Sequence, residues 1–175
     1  MGSRLNEQQY IKQKNNLIVQ DTIVYYYLNA MSRLSDIQFD LHFIPATGTE
    51  GVQMLANILT GWKLDFSILL LGNGENRKFA KTMRKVLFLG KEAEADKKIK
   101  VLETYVMIED LFSTIDFKRF ILQKRVGITE SNSEYIQTNE LSRTLLAASF
   151  LTYIQDNKIK LSDFDDETRE NFRKL

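Results

Sequence analysis

Short apolar runs alternate with helical periodicity through the first hundred residues of the chain. The runs that predict buried strands are 16–19, 41–44, 66–71 and 99–102. Between them, apolar residues recur at spacings of three and four, which predicts helices over 25–34, 50–60 and 75–89. Because the run 66–71 is apolar on both faces, it suits a central parallel strand covered by helices on both sides. The pattern predicts an α/β fold, a parallel sheet flanked by helices.

The remaining residues predict a helical C-terminal part. The predicted helices lie at 108–112, 117–122, 141–156 and 167–174. Their predicted caps are Thr49 for the helix 50–60, the run 138–140 for the helix 141–156, and Asp165 or Asp166 for the last helix. The polar stretch 127–137 predicts a loop, and the charged stretch 90–98 predicts a solvated loop or a helix end. We therefore expect an α/β domain over 14–125 and a helical C-terminal extension over 126–175 packed on it.

The composition of the chain excludes several kinds of catalytic, metal and membrane-spanning site. The 24 basic and 23 acidic side chains leave a formal net charge of +1, so global charge does not favour a mainly electrostatic nucleic-acid binder. There is no cysteine and one histidine, which excludes thiol catalysis, cysteine-based zinc sites and histidine clusters. No apolar run approaches the roughly 18 residues of a membrane span, and the N-terminus lacks a signal-like stretch. A cytoplasmic location with no membrane partner is the expectation.

Ligands of parallel α/β sheets bind at the carboxyl ends of the strands, so the residues that follow each strand are the candidates for chemistry. Two acids spaced i, i+2 at a strand end would share a metal ion, but this chain has Gly72 and Gly74 in that spacing. Glycine supplies no side-chain oxygen. The acids nearest to the predicted strand ends or just beyond them are Asp21, Glu75, Glu109 and Asp110.

Four segments, in order, resemble motifs of the Toprim domain of OLD-family (overcoming lysogenization defect) nucleases. They are 16–32, an apolar strand leading into an aromatic-rich helix; 43–48, a strand ending in a Pro-x-Gly-like turn; 68–78; and 107–112, with the acidic Ile-Glu-Asp-Leu-Phe string. The resemblance covers roughly residues 14–175 and implies a Toprim-like (Rossmann-like) sheet. It also implies which positions would carry catalytic acids, and five of those hold other residues here: Gln20, Val24, Gly72, Gly74 and Met107. A basic residue of the family's helical tail corresponds to Arg143.

The replacement of these acids implies a metal site that has lost most of its ligands. Divalent cations need several anionic oxygens, because dehydrating such hard ions is costly. We therefore expect that the chain alone holds no metal and no cofactor. The resemblance then implies a catalytically inactive scaffold, regulatory or assembly subunit in bacterial anti-phage defence or DNA processing. Its expected partner is an ABC-type ATPase chain or further copies of itself.

Two other functions stay open. One is a metal-dependent DNA endonuclease that uses Mg or Mn in an altered or partner-completed site built from Asp21, Glu75, Glu109 and Asp110. The other is a nucleotide- or anion-binding module that uses the turn 72–74 at a helix N-terminus. For Glu109 and Asp110, a residual ligand pair and a pair of acids favoured by the helix dipole are both open interpretations.

A basic stripe on the predicted helix 75–89 is the candidate surface for nucleic acid or an acidic partner. Its members are Arg77, Lys78, Lys81, Arg84 and Lys85. A solvated helix face is the simpler interpretation of such a stripe. The run of three tyrosines at 25–27 favours core or interface packing over base stacking, and His42 is expected to be structural.

Overall fold

Four parallel strands form one sheet in the computed structural model, which describes residues 11–34, 41–89 and 91–175. The strands are β1 (Asn16–Val19), β2 (His42–Pro45), β3 (Phe66–Leu71) and β4 (Ile99–Leu102). Their order across the sheet is β2-β1-β3-β4. All three pairings are parallel, and the register places Val19 beside both Pro45 and Leu69. The predicted α/β class with a parallel sheet is confirmed.

Helices follow or precede every strand and make up most of the C-terminal part. In the described ranges they are α1 (Thr22–Leu34), α2 (Gly48–Gly61), α3 (Gly74–Phe88), α4 (Glu92–Lys98), α5 (Thr114–Asp116), α6 (Asn132–Thr138), α7 (Arg143–Asp156) and α8 (Asp166–Arg173). Two 3-10 turns, Ile108–Leu111 and Leu161–Asp163, and one π-helical segment, Phe117–Leu122, complete the set.

Helix α4 stands where a solvated loop or a helix end was expected, and helix α6 stands where a loop was expected. Helix α4 occupies most of the charged stretch 90–98, with acids in its first turn and lysines in its last, an arrangement that the helix dipole favours; Gly90 lies outside the described residues. Helix α6 begins inside the polar stretch 127–137 and ends one residue beyond it, at Thr138. It starts with a capping box, in which the Ser131 hydroxyl accepts from the Glu134 N–H and the Glu134 carboxylate accepts from the Ser131 N–H.

Two predicted caps are also wrong. Helix α2 begins at Gly48 with Thr47 at its N-cap, not Thr49, and the backbone of Gly48 is left-handed at φ 73°. Helix α7 begins at Arg143, and the side chain of Ser142 accepts a hydrogen bond from the Leu145 N–H. The residues 138–140, predicted as its cap, instead end α6.

The sheet is covered on both faces, which gives three layers. One face presents Ile18, Ile68 and Leu70 to α2 and α3. The other presents Val19, Leu69 and Leu71 to α1 and to the helices of the C-terminal part. Neighbouring residues of β3 thus enter different layers, which explains why this strand is apolar except at Ser67.

An aromatic cluster joins α1 to the C-terminal helices. Tyr27 is fully buried, with its ring centroid 5.5 Å from that of Phe112 and 5.6 Å from that of Phe150. Phe150 lies on α7, and Phe164 packs edge-on against it at 6.4 Å. The packing prediction for this tyrosine is confirmed. The helical part therefore supplies one layer of the same hydrophobic cluster that covers β1 and β3.

No helix within the described ranges combines the length and the apolar character needed to cross a lipid bilayer.

Candidate functional site

The crevice between the carboxyl ends of β1 and β3 is the place where a sheet of this strand order is expected to bind a ligand. Strand β1 lies between β2 and β3, so the chain leaves β1 in one direction and returns on its other side. Open α/β sheets bind ligands at such a switch point. In this protein the Asn76 amide Nδ2 donates to Gln20 Oε1 at 2.6 Å and to the Leu71 carbonyl at 2.9 Å. Asn76 is only 1% exposed, so an amide pair fills the crevice.

Close backbone contact at the end of β3 leaves no room for a side chain at position 72. A Cβ built on Gly72 would lie 2.4 Å from the Leu102 carbonyl oxygen and 2.6 Å from that of Glu103. The Gly72 N–H donates to the Tyr105 carbonyl at 2.8 Å, which ties this residue to the segment after β4. The resemblance puts a catalytic acid at position 72, and the space that its side chain would need is therefore occupied by main chain.

The start of α3 is open but already capped. Asn73 accepts a hydrogen bond from the Asn76 N–H at 2.8 Å. That N–H is one of the groups an anion at this helix end would use. A Cβ at Gly74 would meet nothing within 4 Å. Glu75 is exposed, and one of its carboxylate oxygens accepts from the Thr49 hydroxyl at 3.3 Å.

The residues after β1 serve the start of α1. Asp21 Oδ1 accepts from the Val24 N–H at 2.8 Å, which caps the helix. Val24 itself is 1% exposed and packs in the core. A carboxylate in place of Val24 would lie in apolar surroundings.

An ion pair between a buried carboxylate and a partly exposed guanidinium lies beside this crevice. Glu109 is fully buried, and its two carboxylate oxygens accept from Nε and Nη2 of Arg143, both at 2.8 Å. Burial by itself would lower the pKa of Arg143, but the hydrogen bonds and charge of Glu109, with a smaller contribution from Asp21, raise that pKa. Burial, followed by the charge of Glu109, raises the pKa of the nearby Tyr27 well above its usual value.

The first residues of helix α6 hold the segment 109–112 in place through hydrogen bonds. The Asn132 amide donates to the carbonyls of Glu109 at 2.9 Å and Phe112 at 2.7 Å. Asp110 Oδ1 accepts from the Ser133 N–H at 2.9 Å, so this acid serves the first turn of α6. Met107 is half-buried at the N-cap of the 3-10 turn. Glu109 and Asp110 thus point to different partners and do not form one ligand pair.

The basic stripe on α3 divides into paired and unpaired members. Arg77 bonds Glu103 through Nε at 2.6 Å and through Nη2 to its carbonyl at 2.9 Å, and Arg84 lies 3.2 Å from the carboxylate of Asp96. The exposed lysines of the stripe form no ion pair with the described part of the chain. They are Lys78, Lys81 and Lys85.

These residues do not fit a pair of divalent cations. Across residues 11–34, 41–89 and 91–175, no three acidic or histidine side chains come together in a way that could hold a metal ion. The oxygen of Gln20 accepts from Asn76, both oxygens of Glu109 face a guanidinium, and Asp21 caps a helix.

Two of these residues escaped sequence reasoning. Asn76 and Asn132 were not predicted as site residues, because their partners lie 56 and 20 to 23 positions away in the chain. A local signal existed only for Asn132, since it lies within the capping box of Ser131 and Glu134 that marks the start of α6.

Comparison with known proteins bears on the fold. No family model matches the sequence, and no curated protein matches it. Among solved structures, the C-terminal region of the OLD protein of Xanthomonas campestris pv. campestris matches with a TM-score of 0.54 and 14% identity. The match covers 93% of this chain and 91% of that one. The two chains share a fold. At this identity the likeness extends to the fold alone.

Proposed function

We propose that this protein is a catalytically inactive, Toprim-like domain related to OLD proteins, and that it acts as an assembly or regulatory subunit. The proposed setting is a bacterial anti-phage or DNA-processing system. The observation that carries the proposal is that protein groups already occupy two of the positions where catalytic acids would stand, those of Gly72 and Gln20. Main chain fills the space beside Gly72, and Asn76 engages the oxygen of Gln20.

The ion pair of Glu109 and Arg143 also supports catalytic inactivity. A carboxylate that binds a metal ion must turn its oxygens towards that ion. Both oxygens of Glu109 instead meet the guanidinium of Arg143, which is the strong bidentate arrangement of these two groups. Glu109 therefore joins the 3-10 turn to the first residue of α7 and stabilises the fold.

The proposed partner is an ABC-type ATPase chain or a second copy of the protein. A folded domain without catalytic activity acts through the contacts that its surface makes. The unpaired lysines on α3 are the proposed contact with DNA or with an acidic partner face. They are Lys78, Lys81 and Lys85.

The first experiment titrates the purified chain with Mn²⁺ by calorimetry and incubates it with plasmid DNA and Mg²⁺ or Mn²⁺. The proposal predicts no saturable metal binding at sub-millimolar concentration and no cleavage. The matched variant is Gln20→Glu/Gly74→Asp, which returns carboxylates at a position that keeps an oxygen and at a position with open space. Metal binding by this variant alone would show that the assay detects a restored site.

Cleavage by the unmodified chain that disappears in Glu109→Gln would contradict the proposal and favour a metal-dependent endonuclease. The assembly role has its own test, which is sedimentation of the chain alone and mixed with an ABC-type ATPase chain, the one beside its gene where one is encoded there. A chain that stays monomeric in both experiments would contradict the assembly role.

A further inference from the structure

A basic groove lies in the helical C-terminal part, away from the crevice of the sheet. Its volume is about 610 Å³. Four cationic side chains line it, and no acidic one does: Lys118, Arg119, Lys124 and Arg125. Tyr153 forms its wall on α7, ten residues beyond Arg143 and thus about 15 Å further along the helix axis. We call this feature the basic groove.

Most of the charge in the basic groove is available. Arg119 is engaged, because its Nη1 donates to the Asp163 carbonyl at 3.2 Å and its guanidinium lies 4.7 Å from the centroid of Phe120. The other three cations form no ion pair within the described ranges, and Lys124 and Arg125 are exposed. Like charges this close repel one another, so a bound anion would relieve the repulsion.

The main chain beside these cations is also available. The π-helical segment ends at Gln123, whose backbone is left-handed at φ 53°, and the Lys124 N–H donates to the Lys118 carbonyl. After that, residues 125–128 belong to no helix or strand. Within the described part of the chain, none of their N–H or carbonyl groups takes part in a backbone hydrogen bond. Unpaired main chain of this kind can pair with the backbone of another polypeptide.

The shape and the borders of the basic groove select among anionic ligands. Five of its eight lining residues are exposed, so a small molecule would stay largely in water, whereas small-ligand sites usually enclose most of the ligand. Acids stand at its borders, since Asp156 follows Tyr153 by three residues on α7 and Asp163 adjoins Arg119. A long phosphate backbone would meet these carboxylates as it left the groove. A short acidic peptide would not.

We propose that the basic groove binds a short acidic segment of a partner protein. Carboxylates of the segment meet Lys118, Lys124 and Arg125, and its main chain bonds with residues 125–128. An apolar side chain of the segment packs against Ile115, which is 61% exposed, and Tyr153. This inference does not depend on whether the crevice of the sheet is inactive.

The test measures the anisotropy of a fluorescent peptide of about ten residues that alternates glutamate with valine and carries one tyrosine. We expect one saturable site, and at least a roughly tenfold weaker affinity in Lys124→Glu/Arg125→Glu. The matched control is Lys63→Glu/Lys97→Glu, which reverses the same charge at two exposed lysines outside the basic groove and outside the stripe on α3, and should leave the affinity unchanged. Should the first variant unfold, Lys124→Ala/Arg125→Ala takes its place.

A second measurement follows hydrogen exchange at the amides of Val126, Gly127 and Ile128. We expect the peptide to slow their exchange. The proposal is overturned if the peptide fails to bind, if charge reversal in the basic groove leaves its affinity unchanged, or if these amides gain no protection. It is equally overturned if a single-stranded oligonucleotide binds the basic groove more tightly than the peptide does.

Discussion

The carboxylate of Glu109 is fully buried, and both of its oxygens accept hydrogen bonds of 2.8 Å from the guanidinium of Arg143. The two residues are 34 positions apart in the chain, so their contact joins the end of the α/β part to the first residue of α7. The charge of one residue is tolerated in the interior because the other is present.

Removal of Arg143 should therefore destabilise the fold strongly. Arg143→Met leaves the Glu109 carboxylate buried without a counter-charge, which is expected to lower the free energy of unfolding by roughly 3–5 kcal/mol. Urea unfolding followed by circular dichroism measures this loss. The control is Arg173→Met, at an exposed residue of α8, and Glu109→Gln/Arg143→Met should recover much of the stability. A loss no larger than that of the control would show that the pair contributes little.

Substitutions at the two glycines after β3 should differ sharply. Gly72→Ala places a methyl group against the carbonyls of Leu102 and Glu103, and overpacking of this kind typically lowers the free energy of unfolding by about 1–3 kcal/mol. Gly74→Ala enters open space and should change it by no more than about 0.5 kcal/mol. Thermal unfolding of both variants compares them directly. Equal stability would contradict the close approach of β3 to the segment after β4.

Truncation of an aromatic side chain on α7 should show that the helical part shares the core of the sheet. Phe150→Ala removes a fully buried ring that packs on Tyr27 and Phe112, and should lower the free energy of unfolding by about 3–5 kcal/mol. Leu145→Ala, at a residue of the same helix that is 68% exposed, is the matched control and should change it by less than about 0.5 kcal/mol. Urea unfolding by tryptophan fluorescence should remain a single transition, and two separate transitions would contradict a shared core.

The single histidine should make stability depend on pH in the mildly acidic range. Burial, followed by the charge of Lys12, lowers the pKa of His42 from 6.5. The unfolded chain therefore binds the proton more tightly, and the free energy of unfolding should fall as the pH drops below 6.5 and through the lowered pKa. His42→Gln should remove this part of the pH dependence.

Urea unfolding at a series of pH values tests this difference. Asp116 acts in the opposite direction, because burial raises its pKa above 3.8 in the folded state, but it is present in both proteins. The difference between the two curves therefore reports on His42. Parallel curves would show that its protonation is unaffected by folding.

The sheet could be predicted from the sequence because each strand is a short run of buried residues. All four predicted strands are present, displaced by at most one residue. The helices α4 and α6 escaped because neither has a broad apolar face: α4 buries only Ala95, and α6 buries Asn132 and Ile136. What stabilises them is electrostatic and local, namely end charges in α4 and a capping box in α6.

The candidate site could be located from the sequence, but its contents could not. The rule for the carboxyl ends of parallel strands, together with the resemblance to the Toprim motifs, led to Gln20 and Gly72. That Asn76 would fill the crevice, or that the Leu102 carbonyl would approach Gly72, depends on contacts between segments distant in the chain. Nor does any local pattern distinguish a glutamate that binds an ion from one that, like Glu109, pairs with an arginine.

Side-chain amides do not titrate at physiological pH. The bond between Gln20 and Asn76 therefore keeps its strength in mildly acidic and mildly alkaline surroundings. Because no titratable group takes part in this contact, the end of β1 and the start of α3 stay joined throughout that range of pH.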